Sequence, residues 1–356
     1  LAATLCCGAL FAQNDVTTWH NDIGRTGQNT HETALAQSIS SRAQNTSASA
    51  EETKLDNGQA PTHNWAAGNP LKIGLLKWYQ ANQTTSFSVG KTKNSNPYGV
   101  AFDGANIWTA NSEGTVTKLR ASDGAVLGNF DVGGLPTGIA FDGANLWVTD
   151  NSASGRVSKV RASDGKILGV FPVGRNPGFL AFDGEDIWVA DSPGVTKLRA
   201  SDGKNLGSFN VGTGGGFAVA FDGTFIWVTG AREVVARFRR DGTDAGQFKV
   251  GPQPLGVAFD GANIWVANYA DDSVSKLRAS DGKTLGTFRL AGGSPYGIAF
   301  DGMNIWVSTD PGLTELRASD GEVIGNFPAN AGSTGVAFDG ANIWVALGLD
   351  HLVLKF

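Results

Sequence analysis

One short phrase is written seven times in this chain. Variants of Gly-Val-Ala-Phe-Asp-Gly-Ala-Asn-Ile-Trp-Val recur with the Ala of Ala-Phe-Asp-Gly at Ala101, Ala140, Ala181, Ala220, Ala258, Ala299 and Ala337, 38 to 41 residues apart. A unit of that length, built of short alternating segments and Asp-Gly turns with no helical periodicity, cannot bury an apolar face alone and must stack on its neighbours. The period predicts a β-propeller with four strands per blade. The expected fold class is therefore all-β, a seven-bladed propeller of four-stranded antiparallel blades.

The best-kept copy gives the anatomy of a blade. Strands are expected at 97–102, 106–110, 115–120 and 126–132, the first pair joined at Asp103-Gly104 and the second at Asp123-Gly124. Asp-Gly suits turns that need a positive φ, because Gly carries no Cβ and Asp tolerates the left-handed region. Alternating strand direction puts both Asp-Gly hairpins of every blade at one end of the body and the other connections at the opposite end. The last copy supplies only three strands, running to Val353-Leu354-Lys355-Phe356. Upstream, Ser86-Phe87-Ser88-Val89-Gly90 matches the fourth-strand pattern of Asn129-Phe130-Asp131-Val132-Gly133. An N-terminal strand is expected to complete the last blade and close the ring, removing edges that would template aggregation. The repeated tryptophans, Trp108, Trp147, Trp188, Trp227, Trp265, Trp306 and Trp344, stand mid-strand at a fixed register and are expected to pack between blades. Each such burial contributes on the order of several kcal/mol.

The propeller takes up 84–356. Residues 1–12, apolar and small up to Gly8-Ala9-Leu10-Phe11-Ala12, read as the tail of a secretory signal peptide, which implies a secreted or periplasmic, cell-envelope location. Residues 13–83 read as a polar leader. Within it, 37–63 holds too few large apolar side chains to offset its own ordering entropy. A short helix is expected near 70–79, with Asn69 as N-cap and Pro70 in the first turn. Both cysteines, Cys6 and Cys7, lie in the signal stretch, so no disulfide framework is available.

A net charge of −5 with 17% charged residues, the basic ones scattered, argues against a nucleic-acid partner. No segment has the length of a transmembrane helix. Each Asp-Gly turn carries one Asp before Gly-Ala-Asn, which lacks the alternating oxygen ligands of a calcium loop. No cofactor is expected. The Asp-Gly end barely varies among the seven copies, whereas the connections at the opposite end differ strongly, so any ligand is expected on that variable-loop face around the mouth of the central channel. Two rings of residues stand there. Tyr98, Phe179, Phe217 and Tyr296 come just before the first strands or at their start, and Asn111, Asp150, Asp191 and Asn268 come at the end of the second. Aromatics beside Asn and Asp suit a protein, peptide or glycan partner. These eight are the candidate ligand-binding residues, on a monomeric propeller. The Asp150 and Asp191 pair, on adjacent blades, offers the one enzymatic alternative, a metal site or an acid and base pair. Only His351 of the four histidines lies in a blade, so Ser-His-Asp chemistry has no base to build on.

The copies, for instance Gly256-Val257-Ala258-Phe259-Asp260-Gly261-Ala262-Asn263-Ile264-Trp265-Val266-Ala267-Asn268, resemble the YVTN and NHL-type propellers of bacterial secreted and surface proteins over residues 84 to 356. The resemblance implies a binding or adhesion role. Streptogramin B lyase is similar in architecture and implies a seven-bladed enzyme using His, Glu and magnesium near the channel, but this chain has no matching His on its central blades. Gluconolactonase-like propellers, which bind a divalent metal through Glu, Asn and Asp, imply a second enzyme model that Asn111, Asp150, Asp191 and Asn268 match in part. The expected function is a non-enzymatic binding scaffold, the alternative a metal-dependent lyase or lactonase-type hydrolase at the channel mouth. Trp19-His20-Asn21-Asp22-Ile23-Gly24-Arg25-Thr26-Gly27 resembles the leader of some quinoprotein-type propellers and brings no cofactor with it.

Overall fold

The seven phrases fold into seven separate four-stranded antiparallel sheets. The computed structural model describes residues 85–356 apart from 94, 213, 231, 330 and 331. The signal stretch, the polar leader and the helix expected near 70–79 lie outside the described residues. Blades I to VI run in chain order over 97–131, 136–172, 180–210, 216–249, 254–289 and 298–327. Blade VII takes three strands from 333–355 and its outermost from Ser86–Ser88, which pairs antiparallel with Leu352–Lys355 through Phe87 opposite Val353. The ring thus closes by the N-terminal strand, as the strand count required.

A single module explains why the phrase is repeated. In each blade the Asp of Asp-Gly accepts two backbone N–H groups with one carboxylate oxygen, as Asp103 does from Ala105 and Asn106. Its other oxygen accepts the indole N–H of the Trp five residues on, across the hairpin. The distances are 2.7–2.9 Å in all seven blades. Six of these tryptophans are fully buried, and Trp306 is 9% exposed. A Phe from the blade's outermost strand lies on each indole, from Phe87 on Trp344 to Phe327 on Trp306, with ring centroids 5.2–5.7 Å apart. A charge-assisted bond to a buried indole fixes ring orientation as well as area burial.

The module also reaches sideways. Lys118, Lys159, Lys197, Arg237, Lys276 and Lys355 each lie over the Trp of their own blade. Each donates to backbone carbonyls in the outer turn of the next blade, Lys118 to Ala162 and Lys159 to Ala200 for example. Near the axis, the first strands approach so closely that a Cβ on Gly99, Gly138, Gly256, Gly297 or Gly335 would fall 2.2–2.6 Å from a carbonyl of the next blade. Thr149, Thr229 and Ser308 add hydroxyl bonds to the next blade's carbonyls there, at 2.6–2.8 Å. Among the described residues no helix is long and apolar enough to cross a membrane.

Candidate functional site

The first strands converge on the axis, and two blades break their glycine rule. Blade III makes its close approach one residue early, at Gly178, where a Cβ would lie 2.3 Å from the Phe217 carbonyl, and blade IV carries Ala218 where five blades carry the close-packed glycine. The Phe179 side chain, next to Gly178, joins the lining of the channel. It shares that lining with Val100, Ile139, Val219, Val257, Ile298 and Tyr296, around a space of only about 50 Å³. Phe179, Phe217 and Tyr296 meet with centroids 5.5–6.1 Å apart and planes inclined by 53–84°. Phe179 and Tyr296 line that narrow space and Phe217 packs on both, so the three rings form one aromatic plug drawn from three blades.

Two further phenols surround this plug. Burial first, and then the neighbouring Tyr98 and Tyr269, push the Tyr296 hydroxyl above its ordinary range. Tyr269 sits in a short 3-10 turn, Tyr269–Asp271, in the blade V loop and is exposed. It was not among the residues expected at the site. The signal was present, because the chain has only four tyrosines and three of them fall on variable-face connections.

The polar ring behaves differently. Asn111, Asp150, Asp191 and Asn268 are all buried. Asn111 donates to Thr115 and Thr117 and accepts from Thr109. Asp150 accepts from the backbone of Leu135 and from Arg156 at 2.9 Å. Asp191 accepts from the backbone of Gly174 and from Thr196, and Asn268 donates to Ser273 and Ser275. A glycine of the connection entering each blade presses on three of them. A Cβ on Gly134, Gly174 or Gly251 would lie 2.2–2.7 Å from the head group of Asp150, Asp191 or Asn268. Asp150 and Asp191 clamp the incoming loop to the end of the second strand, and Asn111 and Asn268 tie that strand end to hydroxyls of the third strand. Burial pushes the Asp191 carboxyl above its ordinary range, against hydrogen bonds from Thr196 and the backbone of Gly174 and Gly194. Among the described residues no three His, Cys, Asp or Glu side chains gather as a metal-binding group. A separate open basin of about 590 Å³ lies at the rim between blades IV and V, lined by Arg232, Glu233, Val234, Lys249, Pro252 and Gln253.

Seven four-stranded sheets, the last completed by Ser86–Ser88, decide the architecture. The chain is a seven-bladed propeller. Solved structures of the same shape include virginiamycin B lyase from Staphylococcus aureus, 18% identical with a TM-score of 0.65 over 76% of this chain and 97% of that one. A catalytically inactive histidine-to-alanine variant of that lyase with quinupristin gives 18% identity and a TM-score of 0.64, covering 76% of this chain and 98% of that one. A streptogramin B lyase gives 16% and 0.64, covering 76% and 95%. No protein-family model and no curated protein sequence matches the chain. Identity this low carries the likeness of fold.

Proposed function

We propose that this propeller is a binding and interaction scaffold of the secreted or periplasmic space, holding its ligand on the variable-loop face above the channel mouth. The observation that carries this reading is the meeting of Phe179, Phe217 and Tyr296, brought from blades III, IV and VI to one point on the axis. Tyr98 of blade I and Tyr269 of blade V stand near enough for their phenols to act on that of Tyr296. Rigid aromatic area with a phenol at its edge binds peptides and sugars at low entropic cost.

A second reading, a metal-dependent lyase or lactonase-type hydrolase, draws on Asp191. A buried carboxyl held above its ordinary range is what a general acid needs, and Asp150 stands on the adjacent blade.

One experiment separates the two. The purified chain and its Tyr296→Ala and Asp191→Asn variants are screened for binding to peptide and glycan arrays and for thermal stabilisation by divalent cations. Asn at position 191 fits the fold, since blades I and V carry Asn111 and Asn268 at the same place. The scaffold reading expects a bound ligand that is lost in Tyr296→Ala and kept in Asp191→Asn. Cation stabilisation abolished by Asp191→Asn overturns it in favour of the enzyme.

A further inference from the structure

Blades III and VI, nearly opposite each other in the ring, depart from the pattern together. Their first strands shrink to three residues, Leu180–Phe182 and Ile298–Phe300. The connections after their second strands are short and carry a proline, Ser192-Pro193 in one and Asp310-Pro311 in the other, each held by an isolated bridge to the incoming loop, Arg175 with Ser192 and Gly293 with Asp310. The neighbouring loops are bare of side chains at the same places. A Cβ on Gly215 would lie 3.6–3.7 Å from Asp191 and Ser192, and one on Gly216 would lie 2.3 Å from the Gly194 carbonyl. At blade VI it is the blade's own incoming loop that is bare, with a Cβ on Gly292 falling 2.8 Å from Thr309 and Gly293 bridged to Asp310. Longer loops flank this diameter, among them Tyr269 to Asp272 and Asn151 to Gly155. The face is therefore low at blades III and VI and higher between them, with the aromatic plug midway along the low line.

The two ends of that line differ in charge. At blade III, Arg175 is exposed, and no carboxylate among the described residues pairs with it. At blade VI, Asp310 is exposed, and Asp272 stands beside it, accepting from the backbone of Ser294 with its oxygen 3.3 Å from where a Cβ on Gly293 would be. The geometry points to an extended peptide as the ligand, laid across the channel mouth from blade III to blade VI. Its apolar middle rests on Phe179, Phe217 and Tyr296, with an acidic residue toward Arg175 and a basic one toward Asp310. Opposite charges at the two ends match the side chains of a peptide, which can carry both signs along one strand, and not a neutral glycan. This rests on the scaffold reading above.

Random dodecapeptides displayed on phage are selected on the immobilised full chain, and the consensus is synthesised for anisotropy measurements. Enriched sequences should place an acidic and a basic residue on either side of an apolar or aromatic stretch. Arg175→Glu and Asp310→Lys should each weaken the consensus at least tenfold, and the double variant should prefer the consensus with its two charges exchanged. No enrichment, or binding indifferent to both substitutions, overturns the peptide assignment. If oligosaccharides bind in a Tyr296-dependent way while no peptide is enriched, only this inference falls. If Tyr296→Ala, still folded by its tryptophan emission, leaves all binding intact, the scaffold reading falls with it.

Discussion

The joint between blades VI and VII is built unlike the other six. Elsewhere a Lys or Arg lies over the blade's Trp and donates to carbonyls of the next blade's outer turn. At the corresponding place in blade VI stands Glu315, which accepts from Asn304 at 2.8 Å. Blade VII has no outer Asp-Gly turn to receive a cation, because its outer strands are separate segments of the chain, held where the Lys355 backbone N–H donates to the Thr85 carbonyl. In the other joints a turn glycine lies against the Phe of the preceding blade. Here the ring of Phe356 meets Phe327 edge-on, with centroids 5.9 Å apart. The strap and its acceptor turn are therefore one device: where the turn is missing, the cation is missing too. Six joints are tied by a cation reaching a sequence-local hairpin, and the seventh by the contact of Phe356 with Phe327, in a blade whose own outer strand has three residues.

The hardest blow to this picture should be loss of the closing strand. Removing 85–90 takes away the Phe87 contact with Trp344 and leaves Leu352–Lys355 as a bare edge. The melting temperature should fall by more than about 10 °C, or the protein should associate through that edge. A monomer of unchanged stability in calorimetry and light scattering breaks the comparison.

Next comes the strap itself. Lys159→Met should cost about 1–2 kcal/mol, the sum of a lost cation–π contact and carbonyls left without their donor. Glu315→Met should cost nothing or stabilise. Urea titrations of the two variants side by side check the contrast, and equal losses would erase it.

A smaller effect concerns the segment behind the closing strand. Burial pushes Glu113 up, but hydrogen bonds from Ser95, the Lys91 backbone, Thr92 and Thr115 together outweigh it and bring it down to about 2. A depressed folded pKa gives stability that is full above the ordinary glutamate value and is lost as pH falls toward 2. Wild type should therefore lose melting temperature between about pH 5 and pH 3, whereas Glu113→Gln starts lower at pH 7 and declines less steeply.

Smallest is the pH response of Glu315, which burial and then the Asp301 charge push above its ordinary range. A raised folded pKa gives stability that is lost as pH rises through it. Glu315→Gln should gain relative to wild type at pH 7 and lose that gain at pH 4. A gain that does not vary with pH contradicts the assignment.

Much of this was legible in the sequence, for a physical reason. The period dictates stacking, and the count of strands dictates how the ring closes, so blade number and the role of Ser86–Ser88 could be read without coordinates. Strand ends moved by a residue: Asn111 joins the second strand of blade I, and Val132 lies past the fourth. What the sequence could not show was direction. Asn111, Asp150, Asp191 and Asn268 stand beside the mouth, yet each turns inward to hold a loop N–H or a neighbouring hydroxyl, and only the three-dimensional approach of glycines such as Gly174 reveals it. The Trp and Asp bond spans a hairpin and leaves no trace beyond the repeat. Arg240 likewise looks like one of many scattered bases. In the fold it reaches back to the buried Asp183 with two bonds of 3.1 Å, while Asp186, which replaces the usual Asn, pairs with Lys197 at 2.9 Å. That pairing marks the joint of blades III and IV among near-identical units.

The tryptophan module has an optical consequence. Seven of the ten tryptophans lie in the propeller, six sealed from solvent, and only Trp306, at the joint without a strap, has part of its surface open. A small neutral quencher such as acrylamide will reach Trp306 before the other six propeller tryptophans. Within the propeller, the first change in emission as the ring loosens will come from its least fastened joint, so the fold carries a built-in fluorescent gauge of its own opening.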